Sequence, residues 1–281
     1  MKYGIREICD VVLKAKAPVK VGGKPFAKGA PVIYFDSLKT STMEGAATTV
    51  YAQGGRGNSR LVAWEGERTV TFTMEDALIS ELGLSVLTGA GLIEAGTNST
   101  ITVHTTGRAP VDSTKKATLA LDGETLDTTA DIYAIELDEN DNVLETAKIT
   151  ESTLTYTATK DGAKVVLFDF YVKKTSGAKQ IEITADKFAG NYYLEASTLF
   201  RSQDGVDHPA EFVIPNCKIQ SNFTFTMASS GDPSTFTFTM DAFPDYTKFD
   251  PTKKVLSVIQ IIDEAAPLID EEEEEVNPTQ D

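Results

Sequence analysis

Glu211-Phe-Val-Ile-Pro215-Asn-Cys-Lys-Ile219-Gln-Ser-Asn-Phe223-Thr-Phe-Thr-Met227-Ala-Ser-Ser-Gly231-Asp-Pro233-Ser-Thr-Phe236-Thr-Phe-Thr-Met240-Asp241 decides the fold class. Phenylalanine and threonine alternate in both halves, over the expected strands Lys218–Met227 and Ser234–Met240. A period of two gives each strand one apolar and one polar face. Between them, Pro233 presets a turn backbone and Gly231 tolerates a positive φ. The stretch therefore reads as an antiparallel hairpin whose polar face is threonine rather than charge.

The same grammar runs through the chain. Short alternating runs are separated by Glu65-Gly66, Asp122-Gly123, Asp138–Asn142 and Asp161-Gly162. Asp-Gly between alternating runs is a strong hairpin signal. Many short strands joined in this way predict an all-β sandwich or barrel. One segment breaks the pattern. Leu78, Leu82 and Val86 recur every four residues, Thr73 and Asp76 resemble a capping box, and Gly89 offers a stop. These signals predict one principal short α-helix near Asp76–Leu87 that plugs an open end of the β core. Met43–Asn58 is rich in Ala, Thr and Gly and ends Tyr51-Ala-Gln-Gly-Gly-Arg56-Gly-Asn58. It lacks the Gly-x-x-x-x-Gly-Lys-Ser/Thr pattern of a phosphate loop. It reads as a long loop, either a contact arm that orders against a neighbour or ordinary surface.

Composition narrows the function classes. The 281 residues suffice for a large core, and no apolar run approaches the ~18 residues of a membrane-spanning helix. The N-terminus shows no apolar signal region, so synthesis in the cytosol is expected. The formal net charge is −16; seven of the acids lie in Asp270–Asp281, and the remainder is still acidic. Such a body disfavours nucleic-acid binding, which needs Lys and Arg to neutralise phosphate. The two cysteines, Cys9 and Cys217, read as buried thiols, with a disulfide between them as the alternative that nothing in the sequence demands. Neither of the two histidines, His104 and His208, has a partner at metal-ligand spacing. Asp138–Asn142 echoes a calcium loop, but Val143 stands at the glycine position and no Glu closes it, so it reads as a hairpin tip. No Gly-x-Ser-x-Gly elbow is present. The expectation is no catalysis, no cofactor and no metal. Trp64, the single tryptophan, is expected in the core.

Several stretches, in order, resemble the tail tube (major tail) proteins of tailed bacteriophages. They are Tyr51–Asn58, the run through Trp64 to Thr73, Glu75–Ser80, Gly190–Arg201, Glu211–Lys218 and Gly231–Asp241. The resemblance covers roughly two thirds of the chain. It implies a β-sandwich that closes into hexameric rings, which stack into a hollow acidic tube through which double-stranded DNA slides without specific binding. It further implies a virion location, contacts with sheath, baseplate and terminator proteins, and no membrane. The expected parts are an N-terminal half of the tube domain (1–96), an inserted β region (97–152), a C-terminal half (153–265) and an acidic tail (266–281). Self-assembly is expected from Tyr51, Arg56 and Asn58 on the loop, and from Phe223, Phe225, Phe236 and Phe238 on the hairpin. A tube-initiator or baseplate-hub subunit shares the same fold. A non-viral β-sandwich surface or glycan-binding protein is the alternative of another class.

Overall fold

The structure, a computed structural model, describes residues 2–150, 152–227, 229–230 and 234–263. The acidic tail and the Gly231–Pro233 turn lie outside the described residues. The chain forms two compact units: Met1–Gly91 with Ile183–Asp281, and Leu92–Glu182. The second unit is thus longer than the 97–152 insertion expected from sequence. Its central strand, Val165–Lys174, alternates just as the strands after it do, so no shift in pattern marks the boundary.

The first unit is built on a nine-stranded antiparallel sheet. Its main path runs Pro31–Phe35, Asp10–Ala15, Asn191–Ser202, Asp207–Ile219, Phe236–Ala242, Ser59–Asp76, Leu38–Gly54. The first and last strands of this path are consecutive in sequence, separated only by Asp36 and Ser37. A two-residue bend can join opposite ends of a sheet only if the sheet curls until its ends meet. Contacts across the closure agree: the Ser37 hydroxyl donates to Asp76 Oδ1 at 2.5 Å, and the Phe35 and Phe238 rings meet edge-on at 4.9 Å. One curled sheet therefore serves as both layers of an all-β sandwich. Val11, Leu13, Phe72, Met74, Leu194, Ile214, Phe238 and Met240 fill it from alternate positions of their strands.

The helix is shorter and later than expected, Glu81–Thr88. Thr73 and Asp76 instead pair with Thr239 and Phe236 in the sheet. Sheet pairing there satisfies the backbone that a helix start would have left open, and the cap moves to Ser80, whose hydroxyl accepts from the Gly83 amide at 2.9 Å. Leu78 and Ile79 precede the helix and are exposed, whereas Val86 and Leu87 enter the core. Gly89 closes the helix at φ 70°, as the sequence implies. A Cβ there would lie 2.3 Å from the Phe188 carbonyl oxygen, so only glycine fits.

The second unit has its own core of Ile132, Ala134, Leu154, Val166, Phe168, Phe170 and Val172. A five-stranded sheet supplies most of it, and the ribbon Lys116–Thr118 with Thr155–Thr157 adds Ala117. Ile132–Leu137 and Val143–Ile149 form a hairpin whose tip is the Asp138–Asn142 segment; Asp138 Oδ1 accepts from the Asn140 and Asn142 amides at 2.8 Å. Glu136 is fully buried. Its carboxylate accepts from the Tyr156 and Thr159 hydroxyls and from the Thr159 and Lys160 amides, all at 2.7–2.9 Å. Burial opposes ionisation of Glu136, but these donors outweigh it and hold the carboxyl below the ordinary glutamate value.

Candidate assembly interface

The expected loop Met43–Asn58 is not a loop. It belongs to a two-stranded ribbon of Leu38–Gly54 and Ser59–Asp76, paired from Leu38 with Asp76 out to Gly54 with Ser59. Alanine and threonine hid the strand, because their weak polarity contrast gives little period-2 signal. Only Thr71–Asp76 pair with Phe236–Ala242 as well. Beyond Val70 no third strand among the described residues joins the ribbon, and about ten residues per arm extend roughly 30 Å at ~3.4 Å each. The tip is a four-residue turn with Gly55 at φ 78°, Gly57 at φ 92° and Asn58 at φ 50°. The Asn58 amide donates to the Gly55 carbonyl at 3.1 Å, and Asn58 Nδ2 donates to Gln53 Oε1 at 3.2 Å.

Register divides the free ribbon into two faces. Val50 stands opposite Trp64, and Ala52 opposite Val62. A register shift between Ala52 and Gln53 adds Leu61, whose Cδ1 lies 3.6 Å from where a Gly54 Cβ would sit. This face is apolar and open: Val50, Leu61, Val62 and Trp64 are 62, 65, 50 and 55% exposed. Trp64 is thus on the surface, not in the core. A lone tryptophan suggests a core, but its strand lies outside the sandwich. The other face is polar. There the Arg60 guanidinium stacks on the Tyr51 ring at 4.1 Å.

The remaining expected interface residues separate. Phe238 is enclosed beside Phe35, and Phe236 is nearly so. Their side chains belong to the sandwich and are not open to a neighbour. Phe223 and Phe225 remain partly exposed and form a ring chain, Phe223 to Phe225 at 5.4 Å and Phe225 to Phe236 at 5.3 Å. The expected strand Lys218–Met227 ends at Ile219; the last ladder contact is the Gln220 amide donating to the Thr239 carbonyl at 2.8 Å. Tyr51, Arg56 and Asn58 do come together, at the ribbon tip. Val50, Leu61, Val62 and Trp64 escaped the sequence reading. The available signal was the apolar run Leu61–Trp64 just after a four-residue glycine turn, with Val50-Tyr51-Ala52 just before it.

At the base of the ribbon a cavity of about 490 Å³ opens between strands of the same unit. Ile5, Met43, Phe72, Phe212, Ile259 and Ile261 wall it, and among the described residues Glu7 is the one charged side chain lining it. Cys9 also faces this cavity. Both cysteines are free and buried, and burial raises both thiols, that of Cys217 to about 12. Among the described residues no three His, Cys, Asp or Glu side chains gather as a metal site, and no helix is long and apolar enough to cross a membrane.

A curled all-β sandwich whose open apolar surface lies on a projecting ribbon has the build of a structural protein. The chain belongs to the YomU/Tube protein family, a phage tail tube protein family, whose model matches residues 5–256. No curated protein matches it.

Proposed function

We propose that the chain builds the tail tube itself, as hexameric rings that stack into a conduit for double-stranded DNA during ejection into the host. The free ribbon carries this reading. A two-stranded hairpin is at best marginally stable alone in water, and a contiguous exposed apolar face marks an interaction surface. Packing against another copy would cover Val50, Leu61, Val62 and Trp64 and supply the missing neighbour. A contact between two different surfaces of the same chain closes into rings or extends into stacks, which are the two operations a tube requires. The net charge of −16 suits a wall that duplex DNA passes without adhering. Sheath, baseplate and terminator proteins are the partners this role implies at the tube's surface and ends, and the role calls for no catalysis, cofactor or metal. Negative-stain electron microscopy of the purified chain tests the reading. Hollow tubes or stacked six-fold rings support it; monomers at every concentration and salt condition tried contradict it.

A further inference from the structure

We propose that the acidic segment 264–281 docks on its own chain, in a basic pocket over the N-terminal strand Tyr3–Ile5, and shields the open edge of that strand. It does so in the single chain, whether or not tubes form. Three observations carry this. The first is the pocket, a cavity of about 630 Å³ that Lys2, Tyr3, Arg6, Glu7, Arg201 and Asp207 help to line. Arg201 Nε and Nη2 each donate to an Asp207 carboxylate oxygen at 2.6 Å, so that pair neutralises itself. Lys2 and Arg6 are exposed and outnumber Glu7, the one further carboxylate on the lining. The pocket is thus net positive on a chain whose net charge is −16. The second is where the segment starts. Val258 stands opposite Val213 and Ile261 opposite Ala210, so the strand Val258–Ile261 advances toward Asp207 on the pocket wall. Just beyond it the Ile262 amide donates to the Pro209 carbonyl at 2.9 Å, and the Tyr3 hydroxyl donates to Asp263 Oδ1 at 3.0 Å. Asp263, the last described residue, is therefore tied to a side chain that lines the pocket. The third is charge. Segment 264–281 holds eight acids, Glu271 to Glu275 in one run, and no Lys, Arg or His. The eight residues from Asp263 to Glu271 reach at most about 29 Å, ample to bring that run over Lys2 and Arg6.

The strand Tyr3–Ile5 pairs with Asn191–Ser202 on one side, and no other described strand joins it. An open strand edge is a template for pairing with another chain, and proteins guard such edges with charge or with a covering segment. A polyacidic segment held across Lys2 and Arg6 supplies both. A tether this short gives an effective concentration on the order of millimolar, so in dilute solution the chain's own segment outcompetes that of a second copy. The hold consists of exposed ion pairs, each weak and each screened by salt. It is therefore reversible: strong salt or a competing cationic surface releases the segment and opens the edge. The family match ends at residue 256, before the segment begins.

The test is zero-length cross-linking of the full chain with a carbodiimide, which joins lysine amines to carboxylates in contact with them. In dilute protein at low salt, mass spectrometry should find Lys2 joined to one of Glu271 to Glu275. In a mixture of ordinary chains and chains labelled with heavy nitrogen, the joined peptides should carry one label only. At ~1 M salt, where the Debye length is about 3 Å, this cross-link should fall at least about tenfold relative to that of Lys148 with Asp131, a surface pair 2.6 Å apart in the second unit. The double variant K2E/R6E separates docking from net charge. It makes the chain more acidic, so plain repulsion predicts less self-association. Release of the segment predicts more, and light scattering should show its onset at a concentration lower by at least about threefold. Absence of the Lys2 cross-link in the native chain, peptides of mixed label, or a K2E/R6E chain that associates no more readily than wild type each overturns the docking. Cross-linking reads the dilute chain, so a protein that never forms tubes removes the tube reading and leaves this one standing.

Discussion

Val50 and Trp64 stand directly opposite each other on the free ribbon, on a face that no other described part of the chain covers. Cross-strand pairs of this kind stabilise a sheet by roughly 0.2–1 kcal/mol. That helps hold the ribbon together but does not remove its apolar surface from water. On the proposed reading the pair connects folding to assembly: it helps keep the ribbon formed in the monomer and would become buried against another copy.

Because Trp64 is the single tryptophan, it reports on that burial without a label. Its fluorescence in dilute protein should show the red-shifted emission and ready acrylamide quenching of an exposed indole. On assembly the emission should move to the blue and quenching should fall. Blue, protected emission at the lowest concentrations would show that Trp64 is already covered within one chain.

The Glu136 network should set the acid stability of the second unit. Its carboxyl is held below the ordinary value in the folded state, so the folded form gains stability from ionised Glu136 above the unfolded pKa of about 4.3. That contribution is lost as pH falls through the lower, folded value. Glu136→Gln should cost about 1–3 kcal/mol near neutrality, because an amide cannot accept all four bonds, and should flatten the dependence on acid. Urea melts at several pH values measure both. A variant as stable as wild type at neutral pH would remove the network from the account.

Gly89→Ala should destabilise the first unit by at least about 1 kcal/mol, since it adds a Cβ at positive φ against the Phe188 backbone. Denaturant titration checks it. An unchanged midpoint would mean the helix end can relax.

The thiols should be silent. Both are buried and both are raised by burial, while reagents attack the thiolate. Ellman's reagent at about pH 8 should label neither Cys9 nor Cys217 in the folded chain and both after unfolding in guanidinium. Fast native labelling of one cysteine would place it at the surface.

The sequence shows the sandwich because its core strands alternate strongly. Val11, Leu13 and Ala15, or Phe236, Phe238 and Met240, point inward, with Val12 and Lys14, or Thr237 and Thr239, turned the other way. Alternation reports burial, however, not the protein that does the burying. Phe236 and Phe238 read as an interface on the same signal that makes them core. The ribbon was legible only in part, since Ala46, Ala47, Thr48 and Thr49 carry little contrast, and Trp64 breaks the usual link between a large aromatic and the interior. Tyr51, Arg56 and Asn58 were singled out through the glycine turn beside them, and the structure places them on the ribbon at and near that turn. The helix was legible at its end, where Gly89 is required by backbone geometry. Its start was not, because the sheet claims Thr73–Asp76 through partners distant in sequence.

Removal of the ribbon tests the central claim most directly. A variant in which residues 48–67 are replaced by Asn-Gly joins Ala47 to Arg68, a pair already in register, and leaves every strand pairing of the sandwich intact. Side by side in electron micrographs, the full chain should form tubes, and the shortened chain should remain a folded, soluble species with the wild-type circular dichroism signature of a β protein. If the shortened chain assembles into tubes of the same diameter and length as the full chain, the ribbon is not the assembly element and the account is wrong.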